Sequence, residues 1–149
     1  MRGLLGELAT GTNGEAVTVT DMEASIEHMS RATIRHVDAM LMVTEPYFRS
    51  LETVGRMAPL ARELGIEHVW AVANKVRSPR EEEIIRSYCA EKGIEVGAVV
   101  PFDEAIQEAD MQGRALMDHE PTAPAVVAIE RVADLLENQV VKNGRGDRS

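Results

Sequence analysis

The stretch ELGIEHVWAVANK, residues 63–75, decides the fold, and EKGIEVGAVVPFD, residues 91–103, repeats its plan. Each passes from the end of a helical pattern through Gly-Ile-Glu into an apolar run that ends in a polar residue. Gly65 and Gly93 suit the left-handed backbone position that closes a helix, and the isoleucine that follows can pack back on the last turn. Both apolar runs are continuous, which is typical of strands that helices cover on both faces. The two stretches therefore predict two buried strands, each of which follows a helix.

Two more apolar runs come earlier in the chain, AVTVTD at residues 16–21 and DAMLMVTE at residues 38–45. The alternation of apolar runs and helical patterns predicts an α/β fold with right-handed crossovers. We therefore expect a mostly parallel sheet with helices on both faces, in one domain that covers residues 1–141. Residues 142–149 are polar and contain glycine, so we expect a flexible tail. The four strands are predicted to end at or near Asp21, Glu45, Asn74 and Pro101.

The helical patterns carry signals for where each helix begins. Ser50 is predicted to cap a helix of apolar residues at helical spacing, and Pro59 inside that pattern should kink or break it. Ser-Pro-Arg-Glu at residues 78–81 is a capping box, which is a strong start signal. The last helix is predicted over about residues 124–141, with an inward face formed by Val126, Ile129, Val132, Leu136 and Val140.

The composition is that of a soluble globular domain, with 44% hydrophobic and 28% charged residues among 149. The formal net charge of −9 argues against partners such as nucleic acids and anionic membranes, because both attract positively charged proteins. No apolar run approaches the ~18 residues that a membrane-spanning helix needs, so the cytoplasm is the expected location. The single cysteine, Cys89, lies in an apolar part of a helical pattern, where we expect a packed thiol. The four histidines lack metal-ligand spacing, so they predict no metal site.

Polar residues end three of the predicted strands, and parallel sheets bind ligands beyond the carboxyl ends of their strands. Asp21 is suited to the water shell of a nucleotide-bound Mg²⁺, and equally to capping the helix that follows. Asn74 and Lys75 resemble a base-reading element, because asparagine offers a donor and an acceptor that match the N7 and N6 groups of adenine. The alternative for Asn74 is a turn residue at a strand end. Arg77 stands where guanine-reading motifs have aspartate, which favours adenine.

Pro101, Phe102 and Asp103 follow the next strand and have two interpretations. Their backbone groups can surround the same base, or the proline can stop the strand while the aspartate caps the next helix. Taken alone, these residues favour the cap.

Four ordered blocks resemble the ParA/MinD (SIMIBI) group of P-loop ATPases, and in particular the carbon monoxide dehydrogenase maturation (CooC-like) ATPases. They are DMEASIEHMSR, VDAMLMVTEPYFRSLET, ANKVR and VPFDEAIQEADMQGRAL. The resemblance implies ATP or ADP and Mg²⁺ as cofactors, with Asp21 as the Walker B aspartate of the Mg²⁺ shell and Glu23 in the switch. Ser25 stands where the family has glycine in that switch. The family's adenine-contacting loops are similar to the segments that contain Asn74, Lys75, Pro101 and Asp103.

The sequence departs from this family in its first half. It contains neither the Gly-Lys-Ser/Thr of a phosphate-binding (Walker A) loop nor the Cys-x-Cys metal site of the maturation ATPases. We therefore interpret the chain as the C-terminal part of a family member without its Walker A half. In the family, the phosphate-loop strand lies in the centre of the sheet, beside the strand at residues 38–45.

Two hypotheses follow from the resemblance and the departure. In the first, the chain binds adenine nucleotides for the assembly of a metal centre, and it does not hydrolyse them alone. Its partners are then a second copy, a complementing chain that contains the Walker A loop, or a metalloenzyme client. In the second, a degenerate ATPase fold acts as a nucleotide-independent protein-interaction module. A membrane-associated regulator is disfavoured, because the last helix carries Glu130, Asp134 and Glu137 on its polar face.

Overall fold

The computed structural model describes residues 18–22 and 37–141. Three strands alternate with helices, and a run of helices follows the last strand. In chain order the elements are β1 (Ala39–Thr44), α1 (Phe48–Glu63), β2 (His68–Val76), α2 (Pro79–Glu91), β3 (Glu95–Pro101), α3 (Glu104–Met111), α4 (Leu116–His119), α5 (Pro124–Leu136) and a π-helical turn (Glu137–Val141).

The sheet has the strand order β1-β2-β3, and both pairs of neighbours are parallel. One face packs against α1 and α2 in a cluster that includes Met42, Val54 and Ile85. The other face packs against α5, where Val72 and the alanines of the helix meet. The predicted α/β fold, a mostly parallel sheet with helices on both faces, is confirmed.

The two helix-to-strand joints have the predicted geometry. Gly65 has φ 74° and Gly93 has φ 67°, which is the left-handed region where a side chain is disfavoured. The N–H groups of Ile66 and Ile94 donate to carbonyls five residues earlier, at 3.1 and 2.8 Å. Each isoleucine is only 7% exposed, so it packs back under its helix as expected.

The predicted strand at residues 16–21 is not present over its described part. Residues 18–22 have no regular secondary structure and are exposed, with Val19 84% exposed. A strand forms only when a neighbour supplies hydrogen-bond partners, and among the described residues β1 pairs with β2 alone. Within residues 18–22 and 37–141 the sheet has three parallel strands, and residues 18–21 do not form the fourth that was expected. The remaining residues of this run and the tail at 142–149 lie outside the described residues.

The helix starts confirm one sequence signal and correct another. The Ser78 Oγ accepts a hydrogen bond from the Glu81 N–H at 3.3 Å, as a capping box requires. The Glu81 carboxylate reaches back to the N–H of Arg77 at 2.7 Å. Ser50 is not a cap, because α1 begins at Phe48 after an uncapped Tyr47. The helix continues through its internal proline to Glu63, so the proline does not break it.

Helix α5 and the π-helical turn together cover the predicted span, and the predicted inward face is correct except for one residue. Val126 is buried and Val132, Leu136 and Val140 are partly buried, as predicted, whereas Ile129 is 52% exposed and does not belong to the inward face. The buried face also includes Ala125 and Ala128, whose small side chains let the helix approach the sheet closely. The glycine of β3 takes part in this approach, since a Cβ at Gly97 would lie 2.6 Å from a methyl group of α5.

Two smaller expectations concern the core and the membrane. Cys89 is fully buried, and burial raises the pKa of its thiol, so the prediction of a packed thiol is confirmed. No helix within residues 18–22 and 37–141 is long and apolar enough to cross a bilayer.

Candidate functional site

Three of the strand ends predicted from the sequence, near Glu45, Asn74 and Pro101, lie at the same edge of the sheet. We call this region the carboxyl edge and define it as residues 44–50, 74–77 and 101–103, which end or follow β1, β2 and β3. The edge therefore contains four predicted site residues: Asn74, Lys75, Pro101 and Asp103. Of the two other predicted site residues, Asp21 is exposed in an irregular segment, and Glu23 lies outside the described residues.

Asn74 and Lys75 form a β-bulge close to the end of β2. Ala73 lies opposite Val99, and Val76 lies opposite Pro101, so β2 has two residues where β3 has one. Lys75 adopts φ 55°, the left-handed region that non-glycine residues seldom occupy. Strained backbone of this kind often occurs at functional sites. The strand thus continues past the residue at which the sequence predicted its end, and it does so through a distorted backbone.

The Asn74 side chain is half-buried and only partly engaged. Its Oδ1 accepts a hydrogen bond from the Lys75 N–H at 3.0 Å. Within the described part of the chain, no hydrogen bond involves its amide nitrogen, which can donate two. This leaves a donor and the second lone pair of the oxygen for a ligand. The alternative interpretation, a turn asparagine, is therefore partly supported. It accounts for only one of the hydrogen bonds that the side chain can make.

Lys75 is paired with the end of β1. Its Nζ donates to Glu45 Oε1 at 2.8 Å, and the hydroxyl of Tyr47 donates to the other oxygen of the same carboxylate. These hydrogen bonds, first from Lys75 and then from Tyr47, hold the pKa of Glu45 below its usual range. The same carboxylate raises the pKa of Lys75 and of Tyr47. The lysine charge is thus neutralised within the edge.

The backbone of this turn is held by a short polar network. Thr44 is the buried polar residue at the end of β1, with 1% exposure, and its hydroxyl lies 3.0 Å from the Ser50 hydroxyl. The Ser50 Oγ also accepts from the Glu45 N–H at 2.9 Å. The serine that the sequence assigned to a helix cap therefore fixes the start of the Glu45 turn instead.

Arg77 and Phe102 extend the edge beyond β2 and β3. The guanidinium carbon of Arg77 lies 4.0 Å from the centroid of the Phe102 ring. The Phe102 N–H donates to the Val76 carbonyl at 2.9 Å, which keeps the two chain segments together after the strands end. The sequence identified Arg77 only by what it replaces, and no pattern in the sequence pairs it with Phe102.

Asp103 has a structural task that occupies both of its carboxylate oxygens. One accepts from the Ala105 N–H at 3.0 Å and so caps α3. The other accepts from the Ala125 N–H at 3.0 Å, in the first turn of α5. The cap interpretation is confirmed, and it extends to a second helix that the sequence did not connect. Any contact of the 101–103 segment with a base must then come mainly from its backbone.

Aromatic side chains are concentrated at the carboxyl edge. The sequence contains only five, and three of them lie here: Tyr47, Phe48 and Phe102. Tyr47 is 57% exposed and Phe48 is 74% exposed. Large exposed aromatic groups are typical of surfaces that bind other molecules, because they bury much area with little loss of side-chain freedom.

The edge suits a purine base better than a phosphate chain. Asn74 offers the donor and acceptor that the edge of adenine needs, beside apolar and aromatic groups. The charge of Lys75 is already paired with Glu45 at 2.8 Å. No group of three potential metal ligands occurs within the described residues, and Asp21 is one exposed carboxylate. These residues by themselves form neither a triphosphate cradle nor a complete Mg²⁺ site.

Comparison with known proteins identifies the relatives of the chain. It is 41% identical over 103 residues to an "Uncharacterized ATP-binding protein MJ0823" of Methanocaldococcus jannaschii, over 68% of this chain and 40% of that protein. It is 39% identical over 110 residues to the "Carbon monoxide dehydrogenase accessory protein CooC" of Rhodospirillum rubrum, over 74% of this chain and 41% of that protein. The chain is a homologue of CooC. No family model matches the sequence.

Solved structures place this CooC homologue in the ParA/MinD fold. A "ParA Family ATPase" of Chlorobium tepidum has a TM-score of 0.58 at 25% identity, over 70% of this chain and 44% of that one. A chain of the "MinC:MinD cell division protein complex" of Aquifex aeolicus has a TM-score of 0.75 at 17% identity, over 93% and 57%. The resemblance seen in the four sequence blocks is confirmed. The chain spans less than half the length of the curated relatives named above, at 40% and 41%.

Proposed function

We propose that this chain is the base-recognising part of a CooC-like ATPase that serves the assembly of a metalloenzyme, and that it binds adenine nucleotides at the carboxyl edge. The observation that carries the proposal is Asn74, which a strained bulge presents at this edge with a donor and an acceptor still available. Homology supports it, because the relatives include an ATP-binding protein and an accessory protein of carbon monoxide dehydrogenase.

In this proposal Asn74 reads the base and the neighbouring residues hold it in place. Its amide nitrogen donates to N7 of adenine, and its oxygen accepts from the N6 amine. The backbone of residues 101–103 lines the other side of the base, while Lys75 and Glu45 fix the bulge. Guanine presents an acceptor where adenine has its amine, and Arg77 stands where an aspartate would bind guanine. The site therefore prefers adenine.

The phosphates require groups that this sequence does not contain. Mg²⁺ would neutralise part of the charge of the phosphates. In this proposal Asp21 would hold the water shell of that ion, and Glu23 would belong to the switch that follows. The amides of a Gly-rich loop and its lysine come, in this proposal, from a segment or chain other than these 149 residues. The proposed partners are a complementing chain that contains the Walker A loop, a second copy of this chain, or the metalloenzyme client. The proposed location is the cytoplasm.

An affinity series with nucleosides and nucleotides tests the base site. Without a phosphate cradle, adenosine, AMP, ADP and ATP should bind with similar dissociation constants near or above ~1 mM, about −4 kcal/mol. Guanosine should bind more weakly, and Asn74→Ala should remove the difference between the two nucleosides while the protein stays folded. The absence of any binding at several millimolar contradicts the proposal.

The isolated chain is also expected to release no phosphate from ATP. Positioning and charge stabilisation provide most of phosphoryl-transfer catalysis, and the loop that supplies them is missing from the sequence. Steady Mg²⁺-dependent phosphate release that Asp21→Ala abolishes would contradict this expectation. The measurement is a phosphate-release assay on the purified 149-residue chain.

A nucleotide-independent interaction module is the second candidate function. The observation that favours it is the exposed aromatic pair at the carboxyl edge, Tyr47 and Phe48. In that case a metalloenzyme client or a complementing chain should lose affinity for the double variant Tyr47→Ser, Phe48→Ser. Adenosine should neither bind nor change that affinity.

A further inference from the structure

The contact between Arg77 and Phe102 has no task so far in holding the base at the carboxyl edge. The guanidinium carbon lies 4.0 Å from the ring centroid, and Arg77 itself is exposed. We infer that this pair is the platform on which the base stacks, with the guanidinium between the phenylalanine ring and the adenine ring. The inference rests on the proposed adenine site and assigns its main source of affinity.

The position of the pair within the fold supports a platform. Arg77 directly follows β2, Phe102 directly follows β3, and the bond from the Phe102 N–H to Val76 holds these ends together at 2.9 Å. The Arg77 N–H is fixed in turn by the Glu81 carboxylate at 2.7 Å. Hydrogen bonds from two backbone N–H groups, one to a carbonyl and one to a carboxylate, therefore hold Arg77 and Phe102 at the edge that also presents Asn74.

The chemistry of arginine suits this task. Its guanidinium is planar, delocalised and weakly hydrated, so it stacks on aromatic rings on either face. In this protein the Arg77 guanidinium lies over the Phe102 ring while Arg77 is exposed, so a ligand can approach it from solvent. Stacking of a base on arginine tolerates every base, because each has an aromatic face. Arg77 would thus supply affinity for purines in general, whereas Asn74 chooses among them.

The bulge before the pair supports the same division of tasks. Lys75 occupies the left-handed region at φ 55°, so the backbone departs from the regular strand between Asn74 and Arg77. A regular strand would continue the alternation of side chains from one face to the other. The bulge shifts this alternation by one residue, which allows the reading side chain and the stacking side chain to serve one ligand.

Adenosine is the probe that tests the platform, because it carries no phosphate that a positive charge could attract. Arg77→Ala should weaken the binding of adenosine by about tenfold, and that of guanosine by a similar factor. Arg77→Lys should weaken the binding of adenosine nearly as much, because lysine keeps the positive charge but lacks the planar guanidinium group that stacks on a base. Phe102→Leu, which removes only the supporting ring, should have a smaller effect. Arg80→Ala is the matched control, since Arg80 is an exposed arginine three residues away.

The outcomes separate the platform from the adenine site itself. Equal affinities of Arg77→Ala, Arg77→Lys and Arg80→Ala for adenosine would overturn the platform and leave the base site standing, provided that Asn74→Ala still removes the preference for adenine. No binding of adenosine to the wild-type chain would overturn both. A second readout is the Arg77 Nε–H resonance in NMR spectra, which should shift on addition of adenosine in the wild type and in Arg80→Ala.

Discussion

The two ends of the same strands differ in kind. Where β2 and β3 begin, each follows a left-handed glycine and a buried isoleucine, in the sequence Gly-Ile-Glu. At the carboxyl edge, β2 ends through the left-handed Lys75, and the segment that follows the neighbouring β1 supplies its carboxylate partner and two exposed aromatic rings. The amino ends of β2 and β3 follow local sequence rules for a stable connection between a helix and a strand. The carboxyl edge contains features that a stable joint does not need, which is the physical reason to place the ligand there.

The left-handed residues make the contrast quantitative. At the amino ends the position is occupied by Gly65 and Gly93, for which this backbone conformation costs little. At the carboxyl edge it is occupied by Lys75, and for a residue with a Cβ the conformation costs roughly 1–2 kcal/mol. This strained conformation lies between Asn74 and Arg77, the two residues to which we assign contacts with the base.

The largest expected effect is on stability at an amino end. Ile94→Ala should lower the free energy of unfolding by about 2–5 kcal/mol, because Ile94 is 7% exposed and belongs to the main core cluster. Urea denaturation measures the change, and Ile129→Ala is the control. Ile129 is 52% exposed, so its variant should stay within about 0.5 kcal/mol of the wild type. Equal effects of the two substitutions would remove the contrast between joint and surface.

The next effect identifies a part of the carboxyl edge that is structural. Asp103→Ala should lower the free energy of unfolding by about 2–3 kcal/mol, because the carboxylate caps two helices, through Ala105 and Ala125. Ser78→Ala, which removes a single cap, should cost about 1 kcal/mol. The comparison is made by thermal or urea denaturation. A smaller loss for Asp103→Ala than for Ser78→Ala would show that the second cap contributes nothing.

The smallest effect appears as a dependence on pH. The pKa of Glu45 is held below its usual 4.5 by Lys75 and Tyr47, so its contribution to stability is present above that pH and is lost as the pH falls through the folded-state pKa. The pKa of Lys75 is raised above 10.5, so its contribution is lost as the pH rises through the raised value. The stability difference between wild type and Glu45→Gln should therefore be greatest between these limits.

Denaturation curves recorded across the pH range measure this difference. In a Lys75→Met background, the effect of Glu45→Gln should shrink, because the first partner of the carboxylate is gone. A difference that persists unchanged at low pH, or in that background, would show that the pair does not stabilise the edge.

The sequence was a better guide to the joints than to the edge. Gly65, Gly93 and the Ser78 cap follow from local rules, since each depends on residues close in the chain. The exposure of Ile129, on an otherwise correctly predicted inward face, shows that helical spacing alone does not determine the burial of every apolar residue of a helix. The close approach of α5 to Gly97, a residue of β3, is likewise not visible in the local sequence of the helix.

The same limit explains what the sequence missed at the site. Asn74 and Lys75 were recognised as a local pair, and Asp103 as a local cap. Their partners are far away in the chain: Glu45 lies on another strand end, and Ala125 lies in another helix. Likewise, the described part of the predicted first strand lacks a strand neighbour, which no property of the local sequence reveals.

The most direct test maps where adenosine binds. In backbone amide spectra of the 149-residue chain, the account predicts shifts at Asn74, Lys75, Arg77 and Phe102 on titration with adenosine. Residues 65–67 and 93–95, at the opposite ends of the strands, should not shift. Shifts confined to those amino ends, or no shifts at several millimolar adenosine, would contradict the claim that the carboxyl edge is a base-binding site.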